Sequence, residues 1–205
     1  MHNPLNCGVL RMYRGYLRYF IGFFITIGLI IILIVLLFGG GNNGNKPKAP
    51  KTPKTLNSLA STDAQIRLTI IGPTNADQIH QQVQITIDRS GNTFNLIQGY
   101  ENTVTSSQSY ESNEPAFSNF LHALSLAGYT RGDNNPKLAD DRGYCPLGQR
   151  YVFEVIENGK TVSRYWSSNC GKIKTYLGST ELTLTLFEAQ IPDYTTLTQN
   201  AENLQ

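Results

Sequence analysis

Gln149-Arg150-Tyr151-Val152-Phe153-Glu154-Val155-Ile156-Glu157-Asn158-Gly159-Lys160-Thr161-Val162-Ser163-Arg164-Tyr165-Trp166-Ser167-Ser168 is the stretch on which the fold turns. Two runs rich in β-branched and aromatic residues flank Asn158-Gly159, the dipeptide that best tolerates the two left-handed positions of a type I′ turn. The segment therefore predicts a β-hairpin. A two-residue turn fixes register, with Glu157 opposite Lys160, Val155 opposite Val162 and Tyr151 opposite Trp166. Period two then places Tyr151, Phe153, Val155, Val162, Arg164 and Trp166 on one face. Extended outward, the same register brings Cys145 and Cys170 onto that face at the open end, one diagonal step apart. Diagonal neighbours lie within about 7–8 Å, and a twist or bulge near Pro146-Leu147-Gly148 would close that gap, so a disulfide Cys145–Cys170 is expected.

Upstream, Ile66, Leu68 and Ile70 alternate with polar residues, as do Val83, Ile85 and Ile87. Ser90-Gly91-Asn92 is a turn, and Phe94 and Leu96 continue into a third strand. The Thr- and Gln-rich positions between them suit the wet face of an antiparallel sheet. Gly99 to Asn113 reads as a polar loop. A helix follows, with Ser112 or Asn113 as cap, Pro115 in its first turn, the stripe Phe117, Phe120, Leu121 and Leu124, and Gly128 at its end. Residues 129–144 read as a loop. Ser179 to Gln190 is ambiguous: Leu182, Leu184 and Leu186 alternate like a strand, whereas the Ser179 cap and the Pro192 stop favour a helix, the reading taken here. The chain from Thr195 onward reads as a frayed polar tail. The fold class is α+β, an antiparallel sheet of about five strands in the order β-β-β-α-β-β-α with one disulfide.

Phe20 to Phe38 carries no charge, and Thr26 is its only hydroxyl. As a helix it would span roughly 28 Å, close to a bilayer's hydrocarbon core, and would satisfy its own backbone hydrogen bonds there. The organisation expected is a basic cytoplasmic segment 1–19, a transmembrane anchor 20–41, a linker 42–62, a domain 63–194 and the tail 195–205. The linker runs from Gly/Asn to Lys46-Pro47-Lys48-Ala49-Pro50-Lys51-Thr52-Pro53-Lys54, a stiff extended spacer. Gly22 and Gly28 are spaced by six, so they form no small-xxx-small helix-pairing motif. Cys7 precedes the apolar run and reads as an idle thiol, because a lipidated cysteine would have to follow it.

Charge is unevenly spread. Residues 1–59 hold seven bases and no acid, while the remainder holds ten bases and fifteen acids, a net of −5. A mildly acidic folded part argues against nucleic acid as a partner. Bases flank the apolar run on both sides, so the positive-inside rule does not orient it. The expected disulfide does, because disulfides persist outside the cytosol. The expectation is a single-pass plasma-membrane protein, N-terminus inside and domain outside, with the lipid bilayer as partner of residues 20–38.

Four constellations are candidate sites. Cys170 with His80 or His122 would suit a cysteine nucleophile, but the motifs of cysteine-dependent cell-wall transpeptidases are missing and a structural disulfide is preferred. Asp133, Asp140 and Asp141 offer oxygens to a hard cation, without the spacing of a calcium loop. Arg131-Gly132-Asp133 matches the adhesion triplet, a short match that arises readily by chance. Tyr100, Tyr110, Tyr129, Tyr144, Tyr165, Tyr176 and Tyr194 are candidate recognition residues or core-edge caps, and Trp166 is expected in the core beside the disulfide. No cofactor fingerprint is present.

The block Gly143-Tyr144-Cys145-Pro146-Leu147-Gly148-Gln149-Arg150-Tyr151-Val152-Phe153, with Trp166 to Cys170 and Leu186 to Tyr194, resembles uncharacterised single-pass membrane proteins of Saccharibacteria-type bacteria. The resemblance covers much of residues 64–194. It implies a bacterial, membrane-anchored domain, no activity and no functional residues. The function expected is a surface binding or interaction module for an envelope protein, a host surface or a glycan. The alternatives are a cysteine-dependent cell-envelope enzyme and an accessory subunit of a membrane complex.

Overall fold

The computed structural model describes residues 21–30, 32, 55–171, 173–199 and 201. They fall into two units, Met1–Thr52 and Pro53–Gln205. In the first, residues 21–30 and 32 are helical (α1), with side chains mostly exposed. Thr26 Oγ1 donates back to the preceding turn, with the Phe23 carbonyl at 2.9 Å and the Gly22 carbonyl at 3.0 Å. No helix among the described residues is long and apolar enough to cross a membrane. Residues 20, 31 and 33–38 of the expected span lie outside the described residues, as do the basic segment 1–19 and most of the linker. The expectation of a spanning helix thus rests on the sequence alone.

The second unit is an α+β domain built on a six-stranded antiparallel sheet. Its strands are β1 (Gln65–Ile71), β2 (Gln81–Ile87), β3 (Gly91–Gln98), β4 (Thr103–Glu111), β5 (Arg150–Glu157) and β6 (Lys160–Ser168), in the spatial order β4-β3-β2-β1-β5-β6. Three helices accompany them, α2 (Glu114–Ala127), α3 (Thr180–Glu188) and α4 (Tyr194–Thr198). One face of the sheet carries the core. Ile66, Leu68, Ile70, Val83, Ile85, Ile87, Phe94, Phe153 and Val155 are buried there with Phe117, Phe120, Leu121 and Leu124 of α2 and Phe187 of α3. Leu56 and Leu59, on a 3-10 turn before β1, join this cluster.

α2 starts and stops where its sequence says. The Asn113 side chain accepts from the Ala116 N–H at 2.9 Å, Pro115 occupies the first turn, and Gly128 closes the helix at φ 80°. α3 resolves the ambiguity of Ser179 to Gln190. Ser179 Oγ accepts from the Leu182 N–H at 3.3 Å, and the buried pair is Thr183 and Phe187, spaced as on a helix.

Three expectations are corrected. First, the sheet has six strands, not about five. Gly99 to Asn113 is not a loop, because β4 pairs with β3 from Gly91↔Glu111 to Gln98↔Thr103. All of β4 except Tyr110 is exposed, so it carries no apolar alternation to betray it. Secondly, the hairpin slips. Asn158 and Gly159 take φ 51° and 70°, and Glu157 does face Lys160, as a type I′ turn requires. A bulge then follows at Val155/Ile156, so Val155 faces Ser163, Tyr151 faces Ser167 and Trp166 faces Val152. Val162 is the extra residue, 56% exposed. A one-residue slip moves later side chains to the other face, and so Arg164 and Trp166 leave the side of Tyr151, Phe153 and Val155. Thirdly, the chain beyond Thr195 does not simply fray: Leu197 packs against the core and Ala201 is fully buried.

The slip gives β5 and β6 a second buried face, roofed by the segment between Tyr129 and Gly148. Trp166 Nε1 donates to the Leu138 carbonyl at 2.7 Å, and the Tyr144 ring lies 4.9 Å from the Trp166 ring. Asp141, 3% exposed, sits between Arg150 Nη1 at 3.1 Å and Arg164 Nη2 at 2.5 Å. Trp166 is therefore buried beside the disulfide-bearing end, as expected, but outside the main core.

Candidate functional site

Cys145 and Cys170 are joined, their Cα atoms 5.4 Å apart. The bond ties the segment before β5 to the end of β6. Cys145 takes the left-handed φ of 52°, and Gly148 passes so close that any side chain there would strike both sulfurs. Asn169 completes the corner, its Oδ1 accepting from the Gln149 N–H at 2.9 Å. A bonded Cys170 offers no thiolate, and the histidines proposed as its partners are elsewhere. His80 is buried, stacked on Tyr100 at 4.2 Å with Nδ1 3.0 Å from the Pro73 carbonyl. His122 is exposed on α2. Neither lines the shallow 230 Å³ hollow beside the disulfide.

The three aspartates have separate tasks. Asp140 is exposed and paired with Arg142 at 2.8 Å, and that guanidinium holds its carboxyl down at about 2. Asp141 is committed to its two arginines. Asp133 Oδ1 accepts from the Asn135 N–H at 2.9 Å. Among the described residues no group of three His, Cys, Asp or Glu is placed to hold a metal ion. The backbone of the Arg131-Gly132-Asp133 triplet is pinned, while Arg131 and Asp133 themselves are exposed. Gly132 bridges Tyr176, Asp133 N–H donates to the Thr175 carbonyl at 2.8 Å, and Gly132 lies against the Tyr165 ring.

Most of the tyrosines serve packing. Tyr129 and Tyr176 are buried against Phe153, and Tyr129 Oη donates to the Arg67 carbonyl at 2.8 Å and accepts from the Glu154 N–H at 3.1 Å. Tyr144 covers Trp166. Tyr165 Oη donates to Asn134 at 3.1 Å, and Tyr110 Oη donates to Asp193 at 3.3 Å.

Tyr194 is different. It lines a cleft of about 340 Å³ between one end of the sheet and α3–α4. Ile70 of β1, Val83 of β2 and Leu184 of α3 supply apolar walls, and Ala201 closes the rear. Gln149, Tyr151, Glu188, Tyr194 and Thr198 supply polar atoms. Tyr151 Oη donates to Gln149 Oε1 at 2.7 Å. The Tyr194 hydroxyl interacts with the Glu188 carboxylate. The Tyr194 ring is held edge-on to Phe94, centroids 6.2 Å apart. Burial pushes the Glu188 carboxyl up, and the Tyr194 hydroxyl offsets part of that rise. Burial, with the Glu188 charge, raises both phenols, so Tyr151 and Tyr194 stay protonated well into the alkaline range. A concave site with a few convergent polar groups and perturbed acids is the usual form of a ligand pocket.

Of this cleft, the sequence singled out Tyr194 alone. Tyr151 was expected on the core face, where it is, and Glu188 only as part of a helix composition. The signal was present: Leu184, Phe187, Glu188 and Ile191 follow helical spacing, so an acid stands within an apolar stripe.

No protein-family model matches this chain, and no curated protein matches it either.

Proposed function

We propose that this chain is a membrane-anchored binding module: residues 20–38 hold it in the plasma membrane, the N-terminus is cytoplasmic, and the domain is presented outside. The observation that carries the binding reading is the cleft of Tyr151, Glu188 and Tyr194. It brings one carboxyl group and two fully protonated phenols to an apolar pocket. That combination orients a ligand but includes neither an activated nucleophile nor a second acid for proton relay. The location rests on two features together. The apolar run has the length of a span, and the Cys145–Cys170 disulfide belongs to an oxidising compartment. The resemblance to single-pass proteins of Saccharibacteria-type bacteria agrees with an envelope setting, where another envelope component, a host surface or a glycan is within reach.

The experiment has two arms. Protease added to intact cells expressing the full chain should remove the domain and leave the anchor in the membrane. Protection until the cells are lysed would refute the orientation. Immobilised full-length chain should retain components of a cell-envelope extract, and Thr198→Trp, which fills the mouth of the cleft, should lose them. Equal retention by the variant would move the binding site elsewhere.

A further inference from the structure

Two of the cleft's hydroxyl donors are already spent, and its carboxylate and phenol oxygens are acceptors. Tyr151 Oη spends its proton on Gln149 Oε1 at 2.7 Å, Thr198 Oγ1 donates to the Tyr194 carbonyl at 2.9 Å, and the Tyr194 hydroxyl interacts with the Glu188 carboxylate. An ionised carboxylate is acceptor-only, and a phenol that has donated retains oxygen lone pairs. Among the described residues no cation pairs with Glu188. The site is therefore a half-buried anion beside two phenol oxygens, over walls of Ile70, Val83 and Leu184.

Ligand classes fit this inventory unequally. An anion meets an uncompensated carboxylate. A neutral polyol carries acceptors in proportion to its donors, and those would face acceptors. A primary ammonium carries three donors and no acceptor, and an alkyl stem behind it suits the apolar walls. Aromatic faces add attraction for a cation. The domain's net of −5 from residue 60 onward draws cations toward it.

We propose that the Glu188 cleft binds a primary alkylammonium group, its nitrogen seated between the Glu188 carboxylate and the phenol oxygens of Tyr151 and Tyr194, its carbon chain along Leu184. This rests on the reading of the cleft as the binding site. Burial raises the Glu188 carboxyl, and a cation seated beside it would stabilise its ionised form.

The test uses the full-length chain in detergent micelles, with methyl-labelled Ile, Leu, Val, Ala and Thr, followed by NMR. The probes are Nα-acetyl-lysine methylamide, n-butylammonium, methyl β-glucopyranoside, and Nα-acetyl-norleucine methylamide, which keeps the stem and lacks the charge. The lysine derivative should shift the Leu184, Thr198 and Ala201 methyls saturably. Glu188→Gln should weaken it about tenfold or more, the scale of one charge-assisted hydrogen bond. Tyr194→Phe should weaken it several-fold with the other core methyls unmoved. Comparison with n-butylammonium tells a peptide-borne amine from a free one, and saturable cleft shifts with either support the proposal. Equal binding of the norleucine derivative or the glucoside overturns the ammonium proposal and leaves the cleft as a binding site. Unchanged affinity in Glu188→Gln overturns it as well. Silence of the cleft methyls to all four probes overturns it too, and the envelope-retention experiment then decides separately whether the cleft binds at all.

Discussion

Asp141→Ala is the substitution that most directly tests the second buried face. In the native domain the Asp141 carboxylate pairs with two guanidiniums, Arg150 at 3.1 Å and Arg164 at 2.5 Å. The two arginines are not equivalent. Arg164 has a side chain 36% exposed, a second carboxylate in Glu154 at 3.8 Å and the Ala139 carbonyl at 2.9 Å. It can turn to water. Arg150 is 7% exposed, and its ion pair is with Asp141. Removing the carboxylate strands a buried charge, a loss of about 3–5 kcal/mol. For a domain of this size that corresponds to a fall in Tm of about 10 °C. The assay is urea unfolding of the full chain, followed by Trp166 fluorescence. Arg164→Met should lose only about 1 kcal/mol, because Arg164 is itself partly exposed and the buried Asp141 carboxylate keeps Arg150 as its partner. The double variant Asp141→Ala/Arg150→Met should be more stable than the sum of its parts, since the stranded charge goes with its partner. A loss under about 1 kcal/mol in Asp141→Ala, or strict additivity in the double variant, would refute the reasoning.

Four further outcomes are expected. Cys145→Ala with Cys170→Ala should lower stability by about 3.5 kcal/mol in the chain-entropy picture of a 25-residue closure, read by urea midpoint against the unreduced protein. Gly132→Ala should lose about 1–3 kcal/mol, because its methyl falls within the Tyr165 ring, and Tyr165→Ala in the same chain should recover most of that. Asn113→Ala should lose about 1 kcal/mol with the α2 cap, measured in the same way. Glu188 titrates above its ordinary value in the folded state, so the stability attached to its protonation is full below the unfolded value and is lost as pH rises through the folded one. Glu188→Gln should therefore match the wild type in acid and exceed it slightly at neutral pH, as measured by thermal melts across pH; the reverse order would contradict the burial.

The sequence was informative wherever a local rule decided the structure. Alternation at Ile66, Leu68 and Ile70 announced a half-buried strand, Asn113 and Pro115 announced a helix start, and Asn158-Gly159 announced a hairpin. It was silent where tertiary context decided. β4 is a strand because β3 offers it hydrogen bonds, and Ser- and Thr-rich strands exposed on both faces carry no periodicity. The bulge that displaces Val162 adds one residue to β6, and nothing in the β-branched run marks where that residue falls. Because of it, Trp166 and Arg164 left the face assigned to them, and the roof of Leu138, Asp141 and Tyr144 could not be foreseen. The cleft followed the same pattern. Tyr194 was visible as an aromatic outside the apolar stripes, whereas Glu188 and Tyr151 acquire their role only when α4 folds back across the end of the sheet.

The compartment in which this domain folds underlies its orientation, its stability and the exposure of its cleft, and one measurement addresses it. Intact cells expressing the full chain are treated with a membrane-permeant maleimide, and the chain is then purified without reduction and digested with trypsin. The account predicts that peptides 143–150 and 165–172 emerge as one species joined through Cys145 and Cys170. Two separate peptides, each carrying the maleimide on its cysteine, would place the domain on the reducing side of the membrane and contradict the account.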